Sequence, residues 1–252
     1  MGTRKSSPEE IRARFDRDVE RFSNLETGQT ATMDAPLHLE LIAAAARALN
    51  PGAERLLDIG CGAGNYSLKL MQALPLRRLT LVDLSRPMLD RAVERIRAAG
   101  TVEAAPIQAD VRDAELGESQ FDVAVAAATL HHLRGAGEWE RVFAKVYRAL
   151  RPGGSFWIAD MVAHEPAALQ EMMWERYGSY LESSQGPAYR DHVFAYIERE
   201  DTPRPLAWQL DLLRRTGFTA VEVLHKQACF ASFGGMRGPF SSAPRGAPSG
   251  GS

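Results

Sequence analysis

The run Arg55-Leu56-Leu57-Asp58-Ile59-Gly60-Cys61-Gly62-Ala63-Gly64-Asn65 decides the fold. A short apolar segment stops at glycines, and a helical pattern opens just beyond them. That order reads as a buried strand, a tight turn and a helix. Glycines at such a turn permit positive φ and let a ligand approach the main chain closely. The spacing is G-x-G-x-G, whereas dinucleotide folds use G-x-G-x-x-G, and Asn65 stands where that fingerprint needs its third glycine. Asp58, two residues before Gly60, adds a carboxylate suited to a cationic ammonium group rather than a pyrophosphate.

Outward from this run, strand and helix signals alternate. Residues 79–83 form the second predicted strand. Ser85-Arg86-Pro87 then predicts an N-cap with a first-turn proline. Met88, Leu89, Ala92, Val93 and Ile96 recur at helical spacing up to Gly100. Residues 105–109 and 121–126 are the third and fourth predicted strands. Trp139, Val142, Phe143, Val146, Tyr147 and Leu150 share one helix face, which Pro152-Gly153-Gly154 is expected to stop. Residues 156–159 make a fifth strand. Thr202-Pro203 is expected to start a helix carrying Leu206, Leu210 and Leu213, with Gly217 at its end. Residues 221–224 and 229–233 predict an antiparallel hairpin that closes the sheet. Such alternation predicts an α/β chain whose mostly parallel sheet is covered by helices on both faces. Ligands of such sheets lie beyond the carboxyl ends of strands, where strand order reverses.

Composition narrows the class. The chain has 252 residues, 45% hydrophobic and 25% charged, which excludes a mainly disordered or collagen-like protein. Thirty Lys and Arg balance 32 Asp and Glu for a net charge of -2, which disfavours a nucleic-acid partner. No apolar run is long enough to cross a membrane, and MGTRKSSPEE lacks the apolar core of a signal peptide. Two cysteines, Cys61 and Cys229, make neither a disulfide framework nor a zinc cluster, and no metal is expected. A cytoplasmic protein is the expectation. Residues 1–8 are polar and expected to fray, and the Gly-, Pro- and Ser-rich residues 234–252 are expected to be a disordered tail.

The acids after the strands suggest a nucleoside. Asp83 ends the second strand, where a carboxylate can accept bonds from vicinal ribose hydroxyls. Asp110 follows the third strand, where a carboxylate can take an adenine amine while the Val111 N–H donates to a ring nitrogen.

Together these features resemble the class I S-adenosylmethionine-dependent methyltransferases. The resemblance rests on LLDIGCGAGNYSLKL, LVDLSRPMLDRA, IQADVRD, FDVAVAAATLHHL and ALRPGGSFWIADM, in that order. It implies a Rossmann-like seven-stranded sheet with one antiparallel strand and S-adenosyl-L-methionine as cofactor. It covers residues 34–233, the expected methyltransferase domain; residues 1–33 are expected to form a helical arm and residues 161–202 a helical lid insertion. By the same resemblance Gly60, Cys61, Gly62 and Gly64 would pass beneath the methionine and ribose, and Asp58 would serve the ammonium. Asp83 would take the ribose, Leu84 and Met88 the adenine face, and Asp110 and Val111 its edge. Ala127, Ala128 and Thr129 would face the sulfonium.

Methyl transfer from a sulfonium needs alignment more than a base. His131 and His132, after the fourth strand, are the candidates if a base exists. Trp174, Tyr177, Tyr189, Arg190, Tyr196 and Arg199 are lid candidates that would shape a small-molecule acceptor pocket, and Phe15, Val19 and Phe22 of the arm would cover the same mouth. The C-terminal half, DTPRPLAWQLDLLRRTGFTAVEVLHKQACFASFGG, also resembles carboxy-S-adenosylmethionine synthases, which carboxylate the cofactor using prephenate. That reading needs an arginine, Arg190 or Arg199, on the new carboxylate; in a methyltransferase both should face solvent or acids such as Glu198 and Asp201. A non-catalytic nucleoside-binding module is the third reading.

Overall fold

A computed structural model describes residues 4–24 and 29–238. Seven strands form one sheet in the order β3-β2-β1-β4-β5-β7-β6. They are β1 Arg55–Ile59, β2 Arg78–Asp83, β3 Glu103–Gln108, β4 Phe121–Ala127, β5 Leu150–Met161, β6 Phe218–Gln227 and β7 Phe230–Arg237. β7 runs antiparallel to both β5 and β6; the pairings among β1 to β5 are parallel. The expected architecture is therefore present. Chain order reverses between β1 and β4, so the switch point lies beyond Ile59 and Ala127.

The helices are α1 Pro8–Phe15, α2 Val19–Ser23, α3 Ala35–Leu49, α4 Asn65–Ala73, α5 Arg86–Ala99, α6 Ala136–Ala149, α7 Ala167–Gln185, α8 Pro187–Glu200 and α9 Leu206–Thr216. α5 has the cap its sequence predicts: Ser85 Oγ accepts from the Met88 N–H at 3.3 Å, and Met88, Leu89, Ala92, Val93 and Ile96 are buried. On α6, Trp139, Val142, Phe143 and Val146 are wholly buried against Phe156 and Ile158 of β5. Each such side chain contributes about 1.5–3 kcal/mol. The other sheet face is covered by Leu39 and Ile42 of α3, Leu70 of α4 and Leu89 and Ile96 of α5. Both faces are thus dry, as a parallel sheet requires.

Several boundaries differ from the sequence reading. Pro152-Gly153-Gly154 does not follow the end of α6 as a loop; it lies inside β5, where the register jumps from Phe121↔Leu150 to Val123↔Ser155. A bulge absorbs those residues, and Gly153 takes φ +81° there. α9 begins at Leu206 rather than Thr202, because Thr202 ties back to Leu133: its Oγ1 donates to the Leu133 carbonyl at 2.8 Å. The expected tail begins too early, since Gly234 to Arg237 complete β7 and Gly234 packs on the Phe156 carbonyl, where a Cβ would come within 2.1 Å. Residues 239–252 of that tail lie outside the described residues. At the other end, residues 4–8 are tied down rather than frayed. The Ser6 N–H donates to the Arg199 carbonyl at 3.2 Å, and Ser7 caps α1. Residues 1–3 are outside the described set.

Candidate active site

One cavity opens at the switch point and carries residues from every motif quoted above. Its floor is the glycine loop, and each glycine there answers to a different constraint. Gly60 has φ +65°, and a Cβ on it would come within 2.0 Å of Thr129 Oγ1. Gly64 has φ +83° and faces Ala92 of α5 at 3.2 Å. Gly62 has φ +49° with nothing within 4 Å of its would-be Cβ. It borders open cavity, a cradle that any side chain would fill.

Asp83, at the end of β2, holds this loop. Its carboxylate accepts from the Gly62 N–H and the Ser85 N–H, both at 2.8 Å. Burial raises its pKa to about 6. Asp83 lines the cavity together with Leu84 and Met88. Asp110 and Val111 line the same end. Asp110, however, is clasped by Arg112, through Nη2 at 2.6 Å and Nε at 2.9 Å. Burial alone would raise the Asp110 pKa, but these bonds outweigh it and hold the carboxyl below its usual range.

Asp58 is buried on β1, where it accepts from Ser67 Oγ at 2.7 Å. Burial, with Asp83 adding repulsion, pushes it up to about 7. A cationic ligand group beside it would favour its ionised form. Cys61 is buried, and burial likewise raises its thiol far from a reactive range. Ala127, Ala128 and Thr129 follow β4 along the wall. Ala128 takes φ +51°, a strained conformation for a residue with a Cβ, and its N–H is held by the Ala159 carbonyl at 2.8 Å.

The two histidines separate. His132 lines the cavity; His131 does not. The His131 ring is bonded to the buried Asp160 carboxylate and faces Asp201 Oδ1 at 3.6 Å. Burial would lower its pKa, but Asp160 and Asp201 outweigh burial and raise it to about 9. Burial and the neighbouring His131 together drive His132 far below its ordinary value. His131, His132 and Asp201 each bring a ligand-type atom within 4.8 Å of the others, the one grouping among the described residues with metal-like spacing.

The lid candidates lie elsewhere. Tyr177 is wholly buried against Phe194 and Phe230, and Trp174 packs on Phe194. Tyr177 donates to the Ala31 carbonyl at 2.6 Å, Tyr189 meets Thr30 Oγ1 at 3.1 Å, and Tyr196 accepts from Arg14 at 3.1 Å. None of Trp174, Tyr177, Tyr189 or Tyr196 lines the cavity. Tyr177 packs on Phe230, which does. Arg190 pairs with Glu182 at 2.6 Å and Asp191 at 2.9 Å, and Arg199 pairs with Glu200 at 2.9 Å. Both face acids and not the cavity, although the acids are not the expected Glu198 and Asp201.

Sequence reasoning missed much of the far wall. Thr32, Ala35, His38, Tyr66, Asp160 and Phe230 line the cavity. His38 sits in an alanine-rich helix with no motif around it, and Phe230 arrives from the last hairpin, so neither carries a local signal. Phe15 and Phe22 of the arm do reach the lining, and Val19 does not.

Residues 56–154 match the model of a methyltransferase domain. Among curated relatives, this chain is 24% identical over 208 residues to a carboxy-S-adenosyl-L-methionine synthase of Campylobacter lari, covering 78% of this chain and 82% of the synthase. It is 33% identical over 128 residues to a sterol methyltransferase-like protein of Botryococcus braunii, 50% of this chain but 31% of that one. Among solved structures, Burkholderia thailandensis 1,6-didemethyltoxoflavin-N1-methyltransferase, with its substrate and S-adenosylhomocysteine bound, superposes with TM-score 0.62 at 17% identity, covering 95% of this chain and 94% of that one. A Haemonchus contortus phosphoethanolamine N-methyltransferase, also with S-adenosylhomocysteine, gives TM-score 0.62 at 20% identity over 86% of this chain and 46% of that one. The expected enzyme class, a transferase using S-adenosylmethionine, agrees with the domain model and these relatives. No helix among the described residues is long and apolar enough to cross a membrane.

Proposed function

We propose that this chain is an S-adenosylmethionine-dependent methyltransferase acting on a small-molecule acceptor. One observation carries the reading. The open cradle above Gly62 is continuous, within a single cavity, with a wall built from α3, β5 and β7 that the cofactor motifs do not use. A donor and a small acceptor can therefore lie end to end there, under Phe15 and Phe22.

The residues divide accordingly. The Gly62 cradle, Asp83 and the Val111 N–H suit the nucleoside, and Asp58 suits the amino-acid ammonium. S-adenosylmethionine held this way supplies a methyl group on a sulfonium, a good leaving group that needs no activation. The chain's task is then to align the acceptor and exclude water. Ala127 and Ala128 bring small side chains to the place where the methyl passes, and Phe15 and Phe22 close the mouth. His132 lines the same cavity, and its depressed pKa keeps it neutral and able to accept a hydrogen bond.

A second reading is favoured by the relatives that span most of this chain, the carboxy-S-adenosyl-L-methionine synthases at 24–28% identity. A carboxylated cofactor would call for a free guanidinium in the cavity. Among the described residues Arg112 is the arginine of the lining, and it is spent on Asp110. That absence supports plain methyl transfer. The test is incubation with methyl-labelled S-adenosylmethionine, a small-metabolite extract and total RNA in parallel. Label in the small-metabolite fraction is the expected result; label only in RNA, or a carboxylated cofactor when prephenate is added, would refute it.

A further inference from the structure

The sheet order divides the cavity. The cofactor motifs follow β1, β2 and β3 on one side of the switch point, whereas β5, β7 and β6 lie on the other. On that second side, one of the described residues that line the cavity is a buried polar side chain without a partner. His38, in the first turn of α3, is 1% exposed and lines the cavity, and neither Nδ1 nor Nε2 has a partner in good hydrogen-bond geometry, the Met33 backbone lying only near enough for a weak interaction. A buried imidazole with both nitrogens unbonded is rare in a core, because each forgoes the bonds it would make in water.

The surroundings of His38 keep it neutral. Burial, followed by the His225 ring 5.1 Å away, pushes it down to about 4, against weaker opposing effects of Asp34 and the Met33 backbone. His225 and Asp34 are occupied with each other at 2.8 Å. A neutral imidazole offers one N–H and one lone pair, and so recognises a group that can both donate and accept.

The rest of this half disfavours charge. Ala35, Ala159 and Phe230 give it apolar walls, with Phe230 held edge-on by Tyr177 at 5.1 Å. Asp160 is the acid there, and both its oxygens are taken. Oδ2 accepts from the Leu130 and His131 N–H groups, and Oδ1 from the Met161 N–H and the His131 ring. A cationic acceptor would find no free carboxylate, and an anionic one no free cation, among the described lining residues.

We propose that His38 is the acceptor-recognition residue of this enzyme, binding the O–H or ring N–H of a neutral planar acceptor laid against Phe230. The proposal rests on the methyltransferase reading above and narrows it to a substrate class. His38 positions the acceptor by hydrogen bonding and removes no proton.

The test uses the full chain saturated with S-adenosylhomocysteine and four small aromatic probes: phenol, benzimidazole, benzoate and benzylamine. NMR titration reads binding, and the ¹⁵N shifts of the His38 ring report contact. Phenol and benzimidazole should bind and move the His38 ring nitrogens, while benzoate and benzylamine should not. His38→Phe keeps the ring volume and removes both nitrogens; it should weaken phenol and benzimidazole about tenfold and leave S-adenosylhomocysteine affinity within twofold. His38→Ala serves as a second variant if His38→Phe is strained. Preference for the charged probes, or probe binding that His38→Phe leaves intact, overturns the proposal. Failure of S-adenosylhomocysteine to bind the unaltered chain instead overturns the methyltransferase reading.

Discussion

Replacing Gly62 with valine separates the role of the loop as a ligand cradle from its role as a turn. Gly62 has φ +49° and no protein atom within 4 Å of its would-be Cβ. A valine there meets only backbone strain, about 1–2 kcal/mol for a left-handed residue with a Cβ. In a chain of this size each kcal/mol lowers Tm by roughly 2–4 °C, so Gly62→Val should melt about 2–8 °C early and stay folded. Its two methyl groups would occupy the cradle. Forcing such groups into a filled space costs about 1–3 kcal/mol, or roughly 5- to 150-fold in affinity. Gly60→Ala is the contrast, because its Cβ would lie 2.0 Å from Thr129 Oγ1 and must disturb the fold directly. Calorimetry with S-adenosylhomocysteine and thermal melts of both variants read the two effects apart. Gly62→Val that binds within twofold of the unaltered chain would refute the cradle.

Other outcomes follow from the same geometry. Asp83→Ala removes the acceptor of the Gly62 and Ser85 N–H groups and of the proposed ribose bonds. It should cost roughly 1.5–3 kcal/mol of S-adenosylmethionine affinity by calorimetry. Burial raises the Asp58 pKa from 3.8 to about 7, so between those values the folded chain holds a proton that the unfolded chain has lost. Its contribution to stability therefore falls as pH rises through that window. Asp58→Asn should gain more in Tm over the unaltered chain at about pH 8 than at about pH 5, and equal gains would contradict the assignment. Arg190→Ala and Arg199→Ala should each leave S-adenosylmethionine affinity within twofold, because both arginines pair with acids outside the cavity.

What the sequence made legible was local. Strand, glycine turn and helix follow from consecutive residues, so the run around Asp58 and the cap at Ser85 could be read directly. So could the acids after the strands, because β-α-β chains place those positions at one end of the sheet. The misjudged features depend on distant partners. Pro152-Gly153-Gly154 looks like a stop until the pairing of β4 with β5 turns it into a bulge. Gly234 and Gly235 look like tail until their close packing on β5 and β6 explains why side chains are excluded there. Aromatic residues of α7 and α8 suggest a pocket by composition, yet they are spent on one another and on Phe230. His38 is the clearest case: nothing beside it in sequence marks it, and only the fold brings it to the cavity.

Native mass spectrometry of the freshly purified full chain tests the central claim most directly. The account predicts one retained small molecule per chain, or one taken up on addition, with the mass of S-adenosylmethionine or S-adenosylhomocysteine. A retained carboxylated cofactor, or no uptake of either molecule even in large excess, would contradict it.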